Sequence, residues 1–520
     1  MTRWFTRALW ILAVTLALGL AARMIWMGAT ALGIVFALCA LGAAWVYQST
    51  RTHAARYLLP GLATFAVFIL MPLMYTVYIA FTNFSGEHLL DRARVRAWFA
   101  QDLYAPEDTR LPFRLHPAAS NGLYQVVVSL NQGEFGRNRL ISRPFSPEEA
   151  ATGHPIRLGG LNIVAPDAAA LDMRELIATR PWLKAARFSL PSHDTPFQLV
   201  SLRALGPRLP RWNEDASGAL VHALTGQRLV ADDRLGNYID VATGKPEGPG
   251  WRVWIGTANF RALFTDPALR QPFVRIFLWN VSFAFLSVAI TFALGVALAC
   301  LLQWKALRGR AIYRTLLILP YAIPAFIPIL VFRGLFNESF GEINLLLTHL
   351  TGLAPHWFTN PHLARVMILL VNTWLGYPYM LIISSGMLQA IPDDLYEATA
   401  IDGAGPWTNF RRITLPQIFP PLFPLLIASF AFNFNNFSLI YLLTGGKPDI
   451  PGSATVAGST DLLVSYTFRM AFKDSAARFG FASAVATLLF LIVAVLAWQQ
   501  LRWSSRAAPS AANVTARTKS

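Results

Sequence analysis

Between Arg275 and Lys305 the chain carries no charged residue, and most of that run is Phe, Leu, Val and Ala. Such a segment is stable as a helix across a lipid bilayer. About 20 apolar residues cover a hydrocarbon core of about 30 Å, and a helix bonds its backbone groups within itself. Eight such runs occur, near 7–23, 26–47, 58–82, 274–303, 311–336, 363–390, 418–443 and 479–501. The first is the weakest. Arg23 and Met27-Gly28 separate it from the second, which predicts a tight helical hairpin with Arg23 snorkelling at its tip. Composition agrees, with 54% hydrophobic and 14% charged residues against roughly 25% charged in an average soluble chain.

The net charge of +16 is spread in short basic runs between apolar blocks, which suits membrane flanks better than a nucleic-acid face. With a cytoplasmic N-terminus, the inside segments carry Arg3 and Arg7; Arg51 and Arg56; Lys305, Arg308, Arg310 and Arg314; Arg411 and Arg412; and Arg502 and Arg506. The short outside segment 336–362 has no lysine or arginine. Both termini are therefore expected in the cytoplasm. Cys39 and Cys300 lie inside apolar runs and read as packing residues, not as a disulfide or metal site. The first apolar run lacks a small-residue cleavage site and reads as a retained helix.

The same count places residues 83–272 outside, a stretch long enough to be a domain. Short alternating runs such as Tyr124–Leu130 and Phe197–Leu202, with turns at Thr225-Gly226, Leu235-Gly236-Asn237 and Thr243-Gly244-Lys245-Pro246, predict a mostly β, partly helical domain. His116, His154, His193 and His222 lack metal-ligand spacing, and no catalytic constellation stands out. No cofactor site is expected. The expected layout is a hairpin and cytoplasmic loop (1–57), a third helix (58–82), a periplasmic domain (83–272), a core of five helices (273–503) and a cytoplasmic tail (504–520).

Within that core, residues 391–416 form a charged island between two apolar runs. It reads Glu397-Ala398-Thr399-Ala400-Ile401-Asp402-Gly403-Ala404, then Phe410, Ile413 and Leu415-Pro416. Glu397 to Ile401 suits about one helical turn with Glu397 at its start, Gly403 suits its end, and Pro416 suits the first turn of the next helix. The plain alternative is an ordinary amphipathic loop. No Gly-x-x-x-x-Gly-Lys-Ser/Thr loop occurs, so any ATP hydrolysis belongs to a partner.

Polar groups inside a span are costly and mark function. Ser429, Asn433 and Asn436 stand at i, i+4 and i+7 with Phe432 beside them, predicting one helical face. Amides next to an aromatic ring suit sugar hydroxyls and the apolar face of a pyranose. An interhelical hydrogen-bond ladder suits the same residues. Before the island, Gly376 and Pro378 predict a break or kink at bilayer depth, with Tyr379 offered to a cavity. A packing kink is the alternative.

The Glu397–Ala404 island resembles the "EAA" loop of ABC-importer permeases. Together with the large insertion after helix 3, Leu375-Gly376-Tyr377-Pro378, the Asn/Phe-rich seventh helix and Leu443-Thr444-Gly445-Gly446-Lys447-Pro448, the chain resembles the MalF family of larger permease subunits of maltose/maltodextrin ABC importers. The resemblance implies an all-α polytopic membrane protein of the bacterial inner membrane, with about eight helices of the type I permease fold and a mostly-β periplasmic domain. It implies sugar contacts at Leu375, Gly376, Tyr379, Ser429, Phe432, Asn433 and Asn436, which favours the sugar-facing reading. It implies docking of an ATPase at Glu397, Ala398, Ala400, Asp402, Gly403 and Ala404; Thr399 departs from the alanine of many members. The implied partners are a second permease (MalG-type), an ATPase homodimer (MalK-type), a periplasmic sugar-binding protein (MalE-type) and maltose or maltodextrin.

Three rivals are weighed. A secondary transporter would need intramembrane carboxylates, and none falls mid-span. A membrane-anchored enzyme would need a catalytic constellation. A permease of the same class for another solute, such as trehalose or glycerol phosphate, fits less well where charged, since the asparagine face carries no arginine or lysine.

Overall fold

The computed structural model describes residues 2–28, 30–48, 52–118, 122–131, 134–159, 168–191, 193, 195–304, 306–453 and 455–507. Arg51, Lys305 and the tail beyond 507 lie outside the described residues. The chain divides into two compact units, Met1–Gly86 with Ile255–Ser520, and Glu87–Trp254. The second lies inside the stretch 83–272 expected as one domain; the amphipathic helix Ala258–Thr265 belongs to the first.

Among the described residues of the first unit, five helices are long and apolar enough to cross a bilayer: His53–Ala80, Pro267–Gln303, Pro361–Leu388, Pro406–Phe434 and Phe479–Arg502. The pair Arg310–Ala322 and Phe326–Leu335, bent by 95°, makes a sixth if taken as one span. Thr2–Trp26 and Thr30–Gln48 form a hairpin, with Trp10 edge-on to Tyr47 at 5.3 Å. Their described apolar parts, Trp10–Trp26 and Gly33–Gln48, fall short of a span.

Local chemistry explains where the helices depart from expectation. The expected single helix 311–336 is broken because Pro324 disfavours helical backbone before it, and Ile323 is extended at φ −91°, ψ 129°. The expected helix 418–443 ends at Phe434 and restarts as Phe437–Leu443. There Asn436 is the N-cap, its side chain accepting from the Leu439 N–H. Of the break or kink expected at Gly376 to Pro378, the break does not occur: Pro361–Leu388 runs through a buried Pro378. Gly295 on Pro267–Gln303 lets the two helices touch, because a Cβ there would fall 2.5 Å from the Met380 Cβ. Asp266 and Asn360 cap these two helices by accepting backbone N–H bonds at their starts.

The Glu87–Trp254 unit is mostly β. Seven strands from Leu111–Pro117 to Ala204–Pro207 close into a barrel. All neighbours are antiparallel except Pro155–Gly159 against Arg187–Ser189. Phe113, Leu115, Val126, Val128, Phe188 and Leu205 fill its core. A five-stranded sheet, Trp212–Glu214 to Pro246–Glu247, packs on helix Arg92–Gln101 through Val95 and Phe99. Its turns use glycine at positive φ where the sequence punctuates: Gly226 at 71°, Gly236 at 74° and Gly244 at 67°. Phe99 lies edge-on to Trp212 and Tyr238, with ring centres 5.6 and 5.1 Å away. An excised segment 90–255 is expected to unfold in one cooperative thermal transition. Phe99→Ala is expected to lower its stability by about 3–5 kcal/mol, and a broad, non-cooperative melt of the parent segment would refute an autonomous domain.

Candidate functional site

Two groups of residues predicted to act together occupy opposite ends of Pro406–Phe434. At one end is the helix Asp393–Ile401, entered through Pro392, with Asp393 and Asp394 in its first turn. Those carboxylates, not Glu397, lie at the positive end of the helix dipole. Glu397 is in the second turn, because Pro392 starts the helix earlier than the Glu397 motif suggests. The helix ends in bonds from Gly403 N–H to the Ala400 carbonyl (3.1 Å) and from Ala404 N–H to the Thr399 carbonyl (2.9 Å). Gly403 takes φ +72°, and a Cβ at this position would meet nothing within 4 Å, so backbone conformation and not crowding calls for glycine.

None of the residues of Asp393–Ile401 is buried, and Ile401 is 87% exposed. Glu397, Ala398, Ala400, Asp402 and Gly403 are exposed too, and Ala404 is half-buried. Thr399 keeps the helix, its hydroxyl bonding the Tyr396 carbonyl at 3.0 Å. The Tyr396 hydroxyl meets the Thr414 hydroxyl at 3.0 Å, tying this helix to the base of the next. Sequence reasoning passed over that tie, since neither residue belongs to the motif. Pro416 stands in the first turn of Leu415–Phe434, as expected, although a wide turn at Phe410–Thr414 joins that helix to a first stretch beginning at Pro406.

Toward the other end of Pro406–Phe434 lies a polar cluster centred on Asn372. Its Nδ2 donates to Asn433 Oδ1 at 2.8 Å, and its Oδ1 accepts from Asn436 Nδ2 at 3.4 Å. Asn433 Nδ2 donates to the Ser429 carbonyl at 2.8 Å. Ser429, Asn433 and Asn436 are thus linked, but Asn436 stands beyond the helix end, so the expected i, i+7 face is interrupted. Buried Asn280 supports the break, donating to the Phe434 carbonyl at 3.1 Å and accepting from Leu463 N–H at 2.7 Å. Asn372 and Asn280 were missed as site residues; their signal was a lone amide in an apolar run.

Phe432 is 71% exposed beside the cluster. The Tyr379 side chain is half-buried and makes no hydrogen bond among the described residues. Leu375 packs against the cluster that contains Trp279 and Phe283. Gly376 faces a neighbouring helix, where a Cβ would sit 3.0 Å from Thr291 Cγ2. It packs closely on that side and is half-buried.

Beyond Phe437–Leu443, Gly445-Gly446-Lys447-Pro448 forms a turn, with Gly446 at φ +87°. Arg469 anchors it. Its Nη1 donates to buried Asp461 at 2.8 Å and its Nη2 pairs with Asp449. Asp461 also accepts from Gly458 N–H at 2.7 Å and the Ser465 hydroxyl at 2.8 Å. Burial pushes the Asp461 carboxyl up to about 6, although Arg469 pulls the other way.

Residues 90–256 match the maltose transport system permease protein MalF P2 domain, and residues 289–505 match the binding-protein-dependent transport system inner membrane component. The chain is 44% identical over 471 residues to the maltose/maltodextrin transport system permease protein MalF of Escherichia coli, covering 88% of each. The chain belongs to the MalF family. MalF of Yersinia pestis is 44% identical over 467 residues, covering 88% of this chain and 86% of that one. A solved bacterial ABC transporter involved in import of the acidic polysaccharide alginate is 24% identical, over 49% of this chain and 85% of that one, with a TM-score of 0.42. As a MalF-family permease, the chain is an inner-membrane component of a binding-protein-dependent ABC importer, a transport subunit and not an enzyme.

Proposed function

We propose that this permease carries maltose and maltodextrins across the inner membrane, and that the Asn372–Asn433–Asn436 cluster with Phe432 and Tyr379 contacts the sugar. The carrying observation is that cluster: amides from Pro361–Leu388, Pro406–Phe434 and the cap of Phe437–Leu443, beside an exposed ring. The amides bond one another, so these polar groups are not left unpaired among the packed helices. A sugar hydroxyl can exchange for these bonds, and Phe432 offers the ring for the pyranose face. The amide pairing also favours a second reading, a lock between helices.

In the proposed assembly the N-terminal hairpin and the bent pair complete eight spans, both termini are cytoplasmic and the Glu87–Trp254 unit is periplasmic. A MalE-type protein delivers sugar, a MalG-type permease completes the cavity, and MalK-type ATPases dock on Asp393–Ile401. ATP-driven closure of the ATPases draws these helices together and opens the cavity outward; hydrolysis returns it inward. Tyr396 and Thr414 supply a direct link from the docking helix to the helix that carries Asn433. Proteoliposomes holding the complex are expected to take up maltose and maltodextrins on ATP and to keep doing so when the proton gradient is collapsed. Uptake of a different solute with no maltose transport would overturn the substrate assignment.

A further inference from the structure

Arg270 and Arg275, in the first three turns of Pro267–Gln303, and Arg365, near the start of Pro361–Leu388, line a cavity of about 880 Å³. The Ile450-Pro451-Gly452-Ser453 loop forms another wall, next to the Asp449 that Arg469 holds. Among the described residues no Asp or Glu lines the cavity and none of the three arginines makes an ion pair. Arg275 and Arg365 face this one cavity from two different helices. Arg365 is fixed: its Nε donates to the Ser459 carbonyl at 3.0 Å and its guanidinium lies 4.7 Å from the Trp279 ring centre. Both of its Nη groups remain for an acceptor. Like charges held together without a counter-charge call for an anion.

The uncharged stretch of the helix begins directly after Arg275, which places these arginines at the edge of the hydrocarbon. Below them, Leu278, Ser282 and Phe285 follow one helical face at i, i+4 and i+7, with Leu278 60% and Phe285 64% exposed. We propose that the cavity binds the headgroup phosphate of an anionic phospholipid, on Arg275 and Arg365, with an acyl chain along Leu278 and Phe285. An acidic side chain of a soluble partner would satisfy the arginines but would leave the apolar track unused. The inference rests on reading Pro267–Gln303 as a span.

The test uses the assembled complex reconstituted with equal amounts of phosphatidylglycerol and phosphatidylcholine, with retained lipid measured by mass spectrometry after purification. The parent complex is expected to retain phosphatidylglycerol selectively. Arg275→Gln with Arg365→Gln is expected to cut that retention roughly 5-fold or more, while the paired Lys substitutions keep most of it. Unchanged retention in the glutamine variant overturns the proposal, as does displacement of the lipid by inorganic phosphate alone. Loss of a protein partner with lipid retention intact overturns it in favour of a carboxylate ligand. If the glutamine variant does not assemble, a photoreactive phosphatidylglycerol decides the matter on the parent complex. Labelling of the Leu278–Phe285 peptide supports the site, and labelling only elsewhere overturns it. Sugar uptake by the same vesicles reports separately on the permease reading.

Discussion

Gly403→Val is expected to abolish sugar uptake or release the ATPase, while the chain still inserts into the membrane. The reason is conformational. Gly403 sits at φ +72°, where a side chain costs roughly 1–2 kcal/mol and a β-branched one more. Nothing crowds the position, so the strain is relieved only by changing the backbone that ends Asp393–Ile401. That change moves the exposed face carrying Glu397, Ala398 and Ile401. Gly405, two residues on, has φ −75° and equally open space, so Gly405→Ala is expected to be nearly silent. The measurement is co-purification of the ATPase together with uptake in proteoliposomes. A Gly403→Val complex that assembles and transports normally would refute the docking assignment.

What could be read from the chain beforehand was mainly what depends on neighbours in sequence. Runs free of charge mark most of the spans, and Gly226, Gly236 and Gly244 mark turns because only glycine takes their backbone cheaply. Hydropathy is an average, however, and it hid the bend at Pro324 inside an apolar run. Counting i, i+4 and i+7 assumes an unbroken helix, and Asn436 caps a new one instead. Pro378 shows the reverse limit: a proline inside an apolar run does not by itself mark a helix end. Partners far apart in the chain had no local signal at all. Asn372 with Asn433, and Tyr396 with Thr414, meet only once the helices have packed.

Asn433→Ala and Asn436→Ala are expected to reduce sugar uptake by roughly 5- to 150-fold, the effect of about 1–3 kcal/mol for one lost partner of a desolvated polar group. Asn372 adds a sharper comparison, because it bonds both of the others. If the cluster contacts sugar, Asn433→Ala weakens transport while the complex assembles and hydrolyses ATP at its basal rate. Stimulation of the ATPase by sugar-loaded binding protein then falls with uptake. If the cluster only locks Pro361–Leu388 to Pro406–Phe434, Asn372→Ala and Asn433→Ala both lower the melting temperature and assembly fails with transport. Combining them then costs less than the sum of the two, since both lose the Asn372–Asn433 bond. Phe434→Leu and Asn435→Ala probe the adjoining positions and are expected to affect all sugars alike, because buried Phe434 faces the core. Normal uptake by both Asn433→Ala and Asn436→Ala would remove the sugar site from these helices, whatever happened to stability.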